Sequence, residues 1–282
     1  MSAQGEARHG LQVQTLLGQL GRPSPSVGAV NMAVHRASTI VFDKIDELDR
    51  AKQARFDKGT LFYGRFGTPD IFAFEEAIAT LEGGYGPIAV PSGLAACVLP
   101  LVAFLRPGDH VLVTDSVYEP ARTSLSRFVA RGGVEVTYYD PRIGGDIAAL
   151  FRSNTRLVYL ESPGSLTFEV QDTPAIADAA RTRGILTMCD NTWATPVFHR
   201  PMELGVDIVV AAATKYVVGH SDAMLGTVTA REEHYRTLRE AANWLGYRIS
   251  PDEVFLAARG LRTMALRLRQ HHETGVALAR WL

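Results

Sequence analysis

The run Val206-Asp207-Ile208-Val209-Val210-Ala211-Ala212-Ala213-Thr214-Lys215-Tyr216 is built from β-branched and small residues and ends in a lysine. Such a run reads as a strand covered on both faces, the kind that parallel sheets contain. A lysine at its exit is expected to be shielded from solvent, and burial favours the neutral amine, the only form that attacks a carbonyl. Lys215 is therefore a candidate Schiff-base former. Taken alone, a lysine at a strand end more often snorkels to the surface, so its companions decide.

Asp190 closes the apolar run Gly184-Ile185-Leu186-Thr187-Met188-Cys189-Asp190. The carboxyl end of a parallel strand is where open α/β sheets place ligand contacts. Twenty-five positions separate Asp190 from Lys215 (215 − 190), room for a loop, a short helix and the next strand. Both ends then face one crevice. Pyridoxal phosphate needs such a pair: a lysine that holds its aldehyde as an imine, and an acid that keeps its ring nitrogen protonated. The bland alternative is that Asp190 caps the segment that follows it.

A phosphate needs a third element. Pro91-Ser92-Gly93-Leu94-Ala95-Ala96 follows the short strand Pro87-Ile88-Ala89-Val90 and precedes the apolar run from Cys97 to Leu105. Ser92 reads as a helix N-cap, and Gly93 permits close backbone approach, so free amides and the helix dipole point at an anion. A Ser-Gly pair is by itself only a turn signal. Tyr118, just past the strand His110-Val111-Leu112-Val113, is placed to stack on a flat cofactor and to assist proton transfer, or else simply to pack.

Outward from these motifs the pattern alternates. Helices are expected over 70–81, from 93 to 105, and over 120–130, 146–152 and 173–183. Strands are expected over 88–90, 110–113, 134–138, 156–160, 185–189, 207–211 and 227–230. Alternation of this kind calls for an α/β fold, a mostly parallel sheet with helices on both faces. Residues 1–68 read as an N-terminal arm, because turn formers such as Gly21-Arg22-Pro23-Ser24-Pro25-Ser26 precede the extended run Ala37-Ser38-Thr39-Ile40-Val41-Phe42. An arm of this sort wraps a partner more readily than it builds a core. Residues 69–250 form the expected cofactor-binding domain, and 251–282 a helical tail that begins a further domain.

With 46% hydrophobic residues over 282 positions the chain can bury a sizeable core. Its 29 basic and 30 acidic residues leave a formal charge of −1, so nothing favours nucleic acid or an anionic membrane as a partner. Cys97 and Cys189 sit in apolar runs and read as reduced core residues of a cytoplasmic protein. The start Met1–Gly10 has no apolar signal region, and no long uncharged span suggests membrane insertion. His271 and His272 are adjacent on a helix and diverge by about 100°, so no metal site is expected. Arg259, Arg262, Arg267 and Arg269 read as a salt-bridged or interface face.

The motifs together resemble the Cys/Met-metabolism family of PLP-dependent trans-sulfuration enzymes, most closely its bacterial cystathionine β-lyase branch. The segment Ala213-Thr214-Lys215-Tyr216-Val217-Val218-Gly219-His220-Ser221-Asp222-Ala223-Met224-Leu225-Gly226-Thr227 is similar to that family's lysine motif. Residues 62–68, 161–170 and 259–263 agree as well, and the likeness runs from about Gly28 to Leu282. The resemblance implies a fold-type I PLP enzyme with pyridoxal 5'-phosphate as cofactor. It implies that Lys215 carries the cofactor and moves protons, Asp190 pairs with the pyridinium, and Tyr118 stacks on the ring. Gly93, Leu94 and Thr214 would contribute to the phosphate site, and Tyr63 and Arg65 would reach that phosphate from a neighbouring subunit. The site would then be shared within a homodimer or homotetramer.

Two positions depart from the wider family: Ala212 stands where many relatives carry a phosphate-binding serine, and Ser165 where many carry an asparagine. Both variations are similar to the β-lyase branch. Relatives also continue into a further domain that supplies the arginine for the substrate carboxylate. This sequence stops at Ala279-Arg280-Trp281-Leu282, so the resemblance implies a C-terminal domain that is incomplete here. The implied reaction is β-elimination of L-cystathionine to homocysteine, pyruvate and ammonia, a step of methionine biosynthesis. γ-Elimination or γ-replacement relatives (cystathionine γ-lyase, cystathionine γ-synthase, methionine γ-lyase) and a non-catalytic truncated subunit remain the alternatives.

Overall fold

A computed structural model of the chain describes residues 12–21 and 28–282. The starting segment Met1–Gly10 and most of the turn-rich stretch 21–26 lie outside the described residues. Seven strands form one sheet: β1 (Gly86–Val90), β2 (His110–Thr114), β3 (Glu135–Tyr139), β4 (Thr155–Glu161), β5 (Leu186–Asp190), β6 (Ile208–Ala211) and β7 (Gly226–Ala230), in the order β1-β7-β6-β5-β4-β2-β3. From β3 to β6 all pairings are parallel, and only β7 runs antiparallel, to both β6 and β1. The expected mostly parallel sheet is what forms.

The alternation of side chains along each strand sorts them onto two covered faces. Val111, Val113, Leu157, Tyr159, Met188, Ile208 and Val210 pack on one face with helix α4 (Gly93–Phe104) and helix α8 (Glu232–Trp244). Leu112, Val158, Leu160, Cys189 and Val209 pack on the other with helix α6 (Thr173–Arg181). Helix α3 (Pro69–Glu82) and the long helix α9 (Pro251–Trp281) enclose a further cluster that holds Phe74, Leu81, Val254 and Leu261. At about 25 cal/mol per Å² of apolar surface removed from water, these clusters are the main driving term for the fold. Cys97 and Cys189 are buried free thiols, as expected. No helix among the described residues is long and apolar enough to cross a membrane.

Three local expectations are revised. The helix expected over 120–130 is α5 (Glu119–Ser124), then a wide π-type turn Leu125–Val129 in which the Ala130 amide reaches back to the Leu125 carbonyl, then a 3₁₀ turn ending at left-handed Gly133. The segment expected as helix 146–152 is a 3₁₀ stretch, Gly144–Leu150. Two leading glycines and only seven residues do not support an α-helical nucleus. Residues 37–42, expected as an extended run, belong to no helix or strand, and Gly64 N–H donates to the Ser38 carbonyl at 2.8 Å. The first helix of the expected arm, α1 (Val13–Gln19), buries Leu17 in the α3–α9 cluster, so that part of the arm packs on the chain's own core. Helix α2 (Ile45–Gln53), in contrast, buries none of its residues.

Candidate active site

Every parallel strand from β2 to β6 points its carboxyl end the same way, and a cleft of about 1140 Å³ opens at that edge. Ser92, Gly93, Leu94, Tyr118, Asp190, Thr214 and Lys215 all line it. Residues expected from separate stretches of sequence therefore converge. Lys215 Nζ stands 5.0 Å from the centre of the Tyr118 ring.

The expected shielding of Lys215 is not found: its side chain is exposed. β6 ends at Ala211, and the chain then makes a helical turn in which Lys215 N–H donates to the Ala212 carbonyl and Gly219 N–H to the Lys215 carbonyl, at 3.0 and 2.7 Å. The lysine thus sits on the turn beyond the strand and projects into the open cleft. Asp190 is the buried member, 5% exposed. Burial raises its carboxyl above the usual range, opposed by hydrogen bonds from Thr192 and the Cys97 thiol. Its Oδ1 accepts from Thr192 N–H at 2.9 Å and its Oδ2 from Cys97 Sγ at 3.4 Å.

Ser92 caps α4 as expected, its hydroxyl accepting from Ala95 N–H at 3.1 Å. Gly93 is required by space alone. A Cβ there would lie 2.4 Å from Ala212 Cβ and 2.9 Å from Ala212 Cα, so the helix start abuts the turn that carries Lys215. Gly226 has a matching role on β7, where a Cβ would strike the Ser92 carbonyl at 2.3 Å. The amides of the first turn of α4 are thereby held toward the cleft, an anion-binding arrangement. The Thr214 hydroxyl is pinned to Leu225, donating to its carbonyl at 3.3 Å and accepting from its amide at 2.9 Å.

Tyr63 and Arg65 lie elsewhere on the chain. Arg65 donates to the Asn243 carbonyl at 2.9 Å and to its side-chain oxygen, beside a small separate cavity. In the basic group of α9, Arg262 donates to Asn31 Oδ1 at 2.5 Å and Arg267 to the Gly260 carbonyl at 2.9 Å. His271, one turn beyond Arg267, also reaches the cleft wall, its ring 6.0 Å from that of Tyr216.

Three site residues escaped the sequence reading. Thr192 braces two elements: its hydroxyl accepts from Ala212 N–H at 2.7 Å while its own amide holds Asp190. Cys97 supplies the thiol on Asp190. Glu161 ends β4 in register with Asp190 at the end of β5, and its Oε2 accepts from Tyr118 N–H at 2.8 Å. The only available signal for Glu161 was a carboxylate ending an apolar strand, the same signal that singled out Asp190.

Three features suit pyridoxal phosphate: an amine beside an aromatic face, a buried carboxylate for the ring nitrogen, and a glycine-shaped helix start for the phosphate. Comparison with known proteins agrees. The sequence profile of the Cys/Met metabolism PLP-dependent enzymes matches residues 14–282. The chain is 49% identical over 271 residues to a putative cystathionine β-lyase of Rhizobium johnstonii, covering 96% of this chain and 67% of that protein. It is 43% identical over 274 residues to cystathionine β-lyase MetC of Escherichia coli, covering 96% and 69%. Among solved structures, cystathionine γ-lyase of Lactobacillus plantarum in complex with L-serine superposes with a TM-score of 0.87 at 30% identity, over 96% of this chain and 68% of that one. Geometry and likeness thus converge on one cofactor, and the chain belongs to the Cys/Met-metabolism family of PLP-dependent enzymes.

Proposed function

We propose that the chain is a cystathionine β-lyase, cleaving L-cystathionine to L-homocysteine, pyruvate and ammonia. The observation that carries this is the placement of Lys215 Nζ 5.0 Å from the Tyr118 ring, in a cleft whose wall holds the buried Asp190. Pyridoxal phosphate bound there supplies an electron sink for the pair left on the substrate Cα when its proton departs. The amine of Lys215 takes that proton, and Tyr118 Oη, on the same side of the cleft, assists. Lys215 then returns a proton to the sulfur as the Cβ–S bond breaks and homocysteine leaves. Asp190 would supply the negative charge that keeps the ring nitrogen protonated, while Ser92, Gly93, Leu94 and Thr214 would hold the phosphate. The three-carbon remainder hydrolyses to pyruvate and ammonia.

The γ-lyase likeness keeps one competing reading in view. The two β-lyase relatives are more similar in sequence, at 49% and 43% against 30%, and they favour β-elimination. Product analysis decides between them, because γ-elimination of cystathionine yields 2-oxobutyrate and cysteine. Lys215→Ala is expected to abolish both the visible absorbance of lysine-bound cofactor and pyruvate release; full pyruvate release by this variant would overturn the assignment. We further propose a cytoplasmic homo-oligomer in which Tyr63 and Arg65 of one copy reach the phosphate bound by the next. The exposure of Tyr63 supports this, as does the fit of an arginine fork to a phosphate.

A further inference from the structure

Glu161 and Asp190 are the last residues of adjacent parallel strands and are paired in register, so both carboxyl groups project to the same side. Both are buried, 8% and 5% exposed, and both line the cleft. Donors are divided unequally between them. Asp190 accepts from Thr192 N–H and from Cys97 Sγ. Among the described residues Glu161 accepts only from Tyr118 N–H, through Oε2. Among the described residues no arginine pairs with either, and the nearby cation is Lys215. Two buried neighbouring carboxyl groups that share one nearby cation do not both ionise readily, and the one with fewer donors keeps the proton.

On the proposed PLP-dependent function, we propose that Glu161 is a positioning residue that stays a neutral acid at neutral pH. Its Oε1 holds the proton of the carboxyl pair, Asp190 remains the anion for the ring nitrogen, and Oε2 anchors the backbone that carries the Tyr118 ring. Direction and cause agree: burial, then the Asp190 charge, pushes the Glu161 carboxyl up to about 8. The groups facing it from the surrounding elements are Asp190 on β5, Lys215 beyond β6, Cys97 on α4 and Tyr159 on β4 itself, with Cys189 on the opposite face of β5 also within electrostatic reach. The thiols and the phenol are pushed well above their ordinary values by burial, so they stay neutral and only Asp190 and Lys215 bring charge. A neutral Glu161 is mimicked by glutamine, which keeps the acceptor for Tyr118 N–H.

Two measurements test this. In infrared spectra of cofactor-free and cofactor-loaded protein, the wild type minus Glu161→Gln difference is expected to show one protonated-carboxyl band at pH 7 that disappears with a midpoint near 8. Glu82, also buried and pushed up to about 8, contributes equally to both spectra and cancels. In kinetics at pH 7, Glu161→Ala, which frees the Tyr118 backbone, is expected to lower kcat about 10- to 100-fold with a smaller change in KM, and Glu161→Gln, which keeps the acceptor for Tyr118 N–H, to recover most of that loss. Absence of the difference band, equal damage in the two variants, or an Ala variant as active as wild type would each overturn the proposal. Failure of wild-type protein to take up pyridoxal phosphate would instead sink the functional assignment, and the infrared measurement on cofactor-free protein would still decide the placement of the proton.

Discussion

Replacing Gly93 by alanine adds one methyl group at the point where the start of α4 meets the turn carrying Lys215. The added carbon would lie 2.4 Å from Ala212 Cβ and 2.9 Å from Ala212 Cα, against a normal carbon–carbon separation of about 3.5–4.0 Å. The two backbones must therefore part by roughly 1 Å, because neither of these Ala212 atoms can swing away. Overpacking of this size costs about 1–3 kcal/mol, read as a fall in melting temperature of about 2–4 °C per kcal/mol. The same displacement lengthens any bond from the α4 amides to a phosphate beyond the usual 2.7–3.2 Å, and a loss of about 1.4–2.8 kcal/mol there weakens cofactor binding about 10- to 100-fold. The assay is titration of cofactor-free protein with pyridoxal phosphate, followed by quenching of Trp193, which lines the cleft. Ala212→Gly removes the closer of the two clashes, so the double variant should recover part of both losses in a mutant cycle. Wild-type affinity and melting temperature in Gly93→Ala, or strict additivity in the cycle, would refute the steric account of this position.

Two further outcomes follow from buried charge. Arg239 Nη1 donates to Glu75 Oε1 at 2.9 Å with both side chains below one-tenth exposed. Arg239→Ala strands that carboxylate and should cost about 3–5 kcal/mol in urea unfolding, with Glu75→Gln in the same chain restoring part of it. Burial pushes Glu82 from 4.5 up to about 8, so the folded chain holds a proton that the unfolded chain has lost. The stabilisation by that neutral form is complete below the unfolded value and is lost as pH rises through about 8. The fall in unfolding free energy from pH 5 to 8 should accordingly be shallower in Glu82→Gln, and an identical slope would show that Glu82 is ionised in the fold.

What was legible in the sequence is what travels with the direction of a single strand or helix. Asp190 and Lys215 could be placed at one edge of the sheet because both follow apolar runs, and parallel strands share their exits. Ser92 could be placed at a helix start because a cap needs only its own three following residues. Where short-range signals competed, the reading was poorer. The turn beyond Ala211 is helical rather than extended, which moves Lys215 into the open cleft, and Gly144 with Gly145 lowers helix formation in a stretch whose hydrophobic spacing suggested a helix.

Most of the contacts that were illegible depend on register between strands distant in sequence; the Cys97 thiol on Asp190 depends instead on how α4 packs on the sheet. Glu161 and Asp190 are 29 positions apart (190 − 161), and only the pairing of Leu160 with Cys189 brings their carboxyl groups onto one side of the sheet. A shift of one residue would turn one of them to the opposite face and leave Asp190 without its neighbour. Thr192 is informative for the same reason. Its bond to Ala212 N–H crosses from the exit of β5 to that of β6, tying the aspartate end of the site to the turn that carries the lysine. The chemistry of the cleft is therefore specified twice, once by which residues end the strands and once by how the strands align. The second specification resides in the packed faces of Leu157, Tyr159, Met188 and Val210, whose alternation fixes the alignment.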